Sequence, residues 1–86
     1  MSIRGSKYEP LYKFLKSKDS DHIVMTFLEV EGVLGFTLPI SATKYMAWWD
    51  GASQHTQAYS WTEAGFKAKP RLSEKKVEFI KYEVLK

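Results

Sequence analysis

The stretch "SQHTQAY" holds no charged side chain. Yet Gln54, His55, Thr56, Gln57 and Tyr59 all carry groups that donate or accept hydrogen bonds. If Ala58, Trp61 and Ala64 mark the inward stripe of a helix, the opposite face displays His55, Thr56 and Tyr59, with Gln54 and Gln57 at its margins. Glutamine can bond bidentately to adenine in a major groove, serine, threonine and histidine can reach base edges or phosphate, and a helix start attracts anions. An ordinary capped and solvated helix start has the same composition.

A second group is cationic. In "FKAKPRLSEKKVEF" strand alternation sets Lys67, Lys69 and Arg71 on the side opposite Phe66 and Ala68, which leaves them free for phosphates, and Lys75 and Lys76 follow in the turn. Lysines that merely discourage strand pairing at a sheet edge would look alike. Charge along the whole chain leans the same way. Residues 1–22 carry five basic and three acidic side chains, residues 23–64 one and four, and residues 65–86 seven and three, so the net +3 is concentrated at the two ends. That asymmetry suits a polyanionic partner.

Catalysis finds little to work with. His22 and His55 are the only histidines, neither has a second ligand three or four residues on, and there is no cysteine. Glu29 and Glu31 cannot share a helix face and read as a capping group and a solvated charge. No phosphate-cradling glycine loop and no nucleophile–base pair is present, so the expectation is a protein that is not an enzyme and uses no metal and no cofactor. His22 reads as a strand-edge residue.

The elements that would position these groups are set by local signals. Residues 1–6 read as a flexible lead and 7–86 as a single domain. Tyr8, Leu11, Tyr12 and Leu15 predict an amphipathic helix over about 8–18, with Pro10 tolerated in its first turn. "HIVMTF" is a brief strand. Thr26 with Glu29 is a capping-box signature for a second helix buried through Phe27, Val30 and Leu34 and stopped by Gly35, with Phe36 folding back on it.

Ser41 can cap a third helix with the stripe Ala42, Tyr45, Met46 and Trp49, ending at Asp50-Gly51, and Ser53 a fourth running to about Ala64 with Gly65 as its stop. Whether these two are separate or one bent unit is open. The C-terminal run predicts a hairpin, Phe66/Ala68 against Val77/Phe79 around "SEKK", its first strand demoted to an edge by Pro70. Neighbouring helical residues differ by about 100° in azimuth, so Trp48 and Trp49 cannot both point into one core. Trp49 is the inward one; Trp48, with Lys44 beside it, is the candidate surface for a protein partner or a second copy.

The predicted fold class is α+β: three to four helices, a short strand and a C-terminal β-hairpin, in the order of a winged helix-turn-helix. A generic small α+β domain shares that order. The segments "MTFLEVEGVLGFTLPISATKYMAWWD", "HTQAYSWTEAGFKA" and "KKVEFIK" resemble a family of small bacterial domains of unknown function. Its pattern is Phe-x-Glu-Val/Ile-Glu, Gly-Phe-x-Leu-Pro-x-Ser-Ala, a Trp-Trp pair, His-x-Gln-Ala and an Ala-Gly-aromatic step, here over about 8–81. The resemblance brings no activity with it. Two functions are therefore expected from the residues themselves. The first is duplex DNA binding, with helix four in a groove and the hairpin cations on phosphates. The other is a protein-interaction module or homodimeric adaptor built on the aromatic surface of helix three. No membrane span or signal peptide is legible, and a cytoplasmic location is the default for a cysteine-free chain.

Overall fold

The computed structural model describes residues 6–50 and 56–82. Residues 1–5, most of the lead, lie outside the described residues, as do Gly51 and the Ser53 cap.

Helix α1 (Glu9–Ser17) takes Pro10 into its first turn and buries Leu11 and Leu15, with Tyr8 packed beneath its start. Strand β1 (His22–Thr26) turns Met25 into the core and Val24 out. It runs without a linker into helix α2 (Phe27–Leu34). Thr26 makes that corner possible: its hydroxyl accepts from the Glu29 N–H (3.1 Å) and its own N–H donates to the Glu29 carboxylate (2.8 Å), a reciprocal capping box. Gly35 ends the helix at φ +85°, a conformation that costs a residue with a Cβ. Glu31, read above as a solvated charge, accepts the Leu38 N–H (2.7 Å) and so pins the following connector.

The third helix departs from expectation. Helix α3 (Ile40–Lys44) spans five residues and is entered from Pro39 rather than capped by Ser41. The chain then breaks at Tyr45, extended at φ −123° and ψ 126°, and resumes as a 3-10 turn over Met46–Trp49. Of the predicted stripe only Ala42 and Trp49 are buried; Tyr45 and Met46 are each 61% exposed. The physical reason lies with Trp49, whose indole N–H reaches back to the Ala42 carbonyl (2.8 Å) inside the core. Burying that ring with its donor satisfied outweighs the continued helix that Lys44, Met46 and Ala47 would favour. Helix α4 (Thr56–Thr62) is thus a separate element; Ala58, Trp61 and Ala64 are buried, and Gly65 (φ +90°) follows its last turn.

Strands β2 (Phe66–Arg71) and β3 (Lys76–Lys81) form the hairpin, joined by a 3-10 turn at Leu72–Glu74 and by Lys75 in the left-handed region (φ 54°). The Lys75 carbonyl accepts the Phe27 N–H (2.8 Å), which ties the hairpin turn to the β1–α2 corner. The sheet is antiparallel in the order β1–β3–β2, so β2 is an edge as Pro70 requires. Its register gives two unlike faces. Rows Ala68–Phe79–Ile23 and Pro70–Val77–Met25 face the core; rows Lys67–Ile80–His22, Lys69–Glu78–Val24 and Arg71–Lys76–Thr26 face outward.

The other rim, along β1, is largely closed. The Lys81 N–H donates to the Asp21 carbonyl (2.9 Å), so alternation turns the backbone groups of His22, Val24 and Thr26 away from β3. Ser20 takes both of those at His22, its hydroxyl donating to the carbonyl (2.9 Å) and accepting the N–H (3.3 Å), while Glu29 takes the Thr26 N–H.

At the centre Trp49 is stacked between Phe27 (centroids 5.4 Å, planes 13° apart) and Trp61 (5.4 Å, 28°), with Phe79 against Trp61 at 5.9 Å. Rings of this kind remove roughly 150–250 Å² each from water, on the order of 4–6 kcal/mol of gross burial apiece, which is how so short a chain secures a core. The Trp61 indole N–H is buried without a hydrogen-bond partner among the described residues. Among those residues no helix is long and apolar enough to cross a membrane.

Candidate nucleic-acid interface

Strand alternation and the edge position of β2 place Lys67, Lys69 and Arg71 in one exposed row. Their surroundings differ. Arg71 donates from Nε to Oε2 of Glu78, which lies diagonally across on β3 and directly opposite Lys69, and His22 Nε2 lies 2.9 Å from the other oxygen of the same carboxylate. Arg71, expected to be free for phosphate, is therefore committed across the sheet. Its hydrogen bond, and then that of His22, hold the Glu78 carboxyl below the usual carboxylate range, and Glu78 raises Arg71 in return. Lys76 is half-buried with its Nζ 3.6 Å from Glu74, and Lys75 is exposed in the turn. Lys67 and Lys69 have no ion-pair partner among the described residues.

The other predicted group is built differently. Gln54 and His55 lie outside the described residues, as does the Thr56 side chain. Gln57 is only 8% exposed and donates its amide N–H to the Trp48 carbonyl (3.3 Å), so it splices α4 to the 3-10 turn and cannot read a base. Ser60 and Thr62 bond back to carbonyls of their own helix, Gln57 and Ala58, at 2.6 and 3.0 Å. Tyr59 is half-buried against the core. Helix α4 packs on α1, on β2 and on the 3-10 turn, and that enclosure accounts for its buried polar groups.

A model of a domain of unknown function (DUF7662) matches residues 8–81, nearly the whole chain. The chain belongs to that family. No curated protein and no solved structure matches it.

In this DUF7662 chain the aromatic surface is carried by other residues than the sequence suggests. Trp48 is half-buried, edge-on to Trp49 (4.7 Å) and Tyr8 (6.1 Å), and closes the core more than it projects from it. Lys44 is exposed in the last turn of α3. Tyr45 and Met46 are the exposed pair, and sequence reasoning missed them because Ala42, Tyr45, Met46 and Trp49 fit one helical stripe. The only hint was the adjacent tryptophan pair, which a continuous helix cannot bury together.

Three shallow depressions connect these features. One is lined by Ser41, Tyr45, Ala47, Trp48 and Gln57. Ala47 also borders the next, between Met46, Trp49 and Asp50 on one bank and Ala68 and Pro70 on the other. Met46, Ala68 and Pro70 pass in turn into the third, which holds Lys67, Lys69 and Arg71. Shared lining residues thus lead from an exposed phenol, round the β2 edge, to the unpaired ammonium groups on its outward side. Such a surface can hold a polyanion at one end and a flat or apolar group at the other.

Proposed function

We propose that this chain is a small nucleic-acid-binding module that meets the phosphate backbone with the outward row of β2. The observation that carries the reading is Lys67 and Lys69: both exposed, two residues apart on an edge strand, and without an acidic partner among the described residues. Element order and the β1–β3–β2 sheet support a winged-helix-like arrangement, with duplex DNA as the first ligand to try. The backbone contact is electrostatic and needs no inserted helix, so the burial of Gln57 does not remove it. In this reading the chain is not an enzyme and requires no cofactor.

Titration of a fluorescent duplex by anisotropy at several salt concentrations tests it. Binding should weaken with salt with a log–log slope of about −2 or steeper, and a Lys67→Ala/Lys69→Ala variant should lose about two units of that slope. Failure of duplex and single strand alike to bind at low salt, or affinity indifferent to salt, overturns the reading.

Exposure favours a second reading. Tyr45 and Met46 at 61% and Ile40 at 71% are more open than apolar side chains of this size usually are, which suits a protein partner or a second copy docking beside Trp48 and Lys44. Sedimentation over a concentration series, with a Tyr45→Ser/Met46→Ser variant as control, would register self-association. A monomer at every concentration disposes of the homodimer.

A further inference from the structure

Resting on the nucleic-acid reading above, the geometry points to a more specific ligand: a single strand, DNA or RNA, whose unpaired bases stack on Tyr45 while its phosphates follow Lys67 and Lys69. A duplex is read by an element that projects into a groove, and the described residues do not supply one. Among the described side chains of α4, Gln57 is spent on Trp48 and Ser60 and Thr62 on carbonyls of their own helix, and the hairpin turn is bonded at Lys75 to the start of α2 rather than standing clear as a wing. The surface does present a phenol ring at 61% exposure, a thioether at 61% beside it, and two unpaired lysines at the far end of the same connected strip. Single-strand binders combine these two chemistries, cations that track the backbone and rings on which bases lie.

Stacking demands a base whose face is free. In a duplex both faces are already occupied by neighbours, so an exposed ring gains nothing there except at an end.

The test compares one mixed-sequence 12-nucleotide strand, labelled for anisotropy, as DNA, as RNA, and as the DNA annealed to its complement. Both single strands should bind more tightly than the duplex. Tyr45→Ala should weaken the single strands about 5- to 150-fold, the equivalent of one stacked base, and leave the duplex unchanged. Tyr45→Phe, which keeps the ring, should restore binding. Because Tyr45 is exposed, an unchanged melting temperature certifies the variant's fold. A difference between the DNA and RNA strands would name the source without disturbing the stacking claim. Equal affinity for duplex and single strand, with no effect of Tyr45→Ala, overturns this inference and leaves the backbone contact standing. Absence of binding to every form at low salt overturns both.

Discussion

The two faces of the three-stranded sheet use the same eighteen-ångström ladder, if ~3.3 Å is allowed for each of about five and a half residues, for opposite purposes. Inward, Ala68, Phe79 and Val77 are buried beneath the stacked rings of Trp49 and Trp61. Outward, Lys67, Lys69, Arg71, Glu78 and His22 share a wet surface where a single carboxylate gathers two of the four basic groups and leaves the other two unpaired. Strand periodicity separates the core from the proposed binding surface residue by residue: a change at one position should cost fold, and a change at the next should cost affinity alone.

That separation is breakable. Its largest consequence is at Trp49, where replacement by alanine should cost about 3–5 kcal/mol in urea or thermal unfolding, a large share of the stability that a domain of this size possesses. The Lys67→Ala/Lys69→Ala variant should stay within about 0.5 kcal/mol of the parent in the same measurement. Comparable losses would mean that the outer row is structural after all.

Between the faces stands the corner at Thr26, which belongs to the outer rows by register and to the core through its neighbour Phe27. Thr26→Ala removes one half of the capping box and should cost about 1 kcal/mol, measured by chemical denaturation. An effect near zero would show that the Phe27–Lys75 backbone bond alone holds the corner.

The smallest effect concerns acid. Glu78 ionises more readily in the folded chain than in the unfolded one, so its contribution is present in full above the usual carboxylate range and fades as pH falls through its lowered value. Thermal melts at pH 6 and pH 3 should therefore diverge more for the parent than for Glu78→Gln. Equal divergence would show that the Arg71–Glu78–His22 cluster adds no coupling of its own.

Much of the architecture was legible because it is decided locally. The Thr26–Glu29 box, the left-handed stop at Gly35 and the alternation of Phe66 and Ala68 with lysines involve residues within a few positions of one another. The break at Tyr45 was not, since a continuous helix satisfies the spacing equally well and only the distant Phe27 and Trp61, by accepting Trp49 between them, decide against it. Arg71 illustrates the same limit at the site. Alternation assigns its side of the strand, but its engagement with Glu78 depends on a hairpin register set by Lys75. Gln57 was misread because a helical wheel cannot tell that Trp48 would bring its carbonyl to that side.

The hydroxyl of Ser20 carries a consequence beyond its own short loop. Sheets with an open rim can be lengthened by any strand that finds them, and crowding or heat favours that addition. With His22 satisfied in both directions by one serine and Thr26 by a glutamate, Val24 is left as the lone rung on which an intruding strand could gain purchase. One rung is too little to template growth, so a strand finds no footing along this border of the sheet.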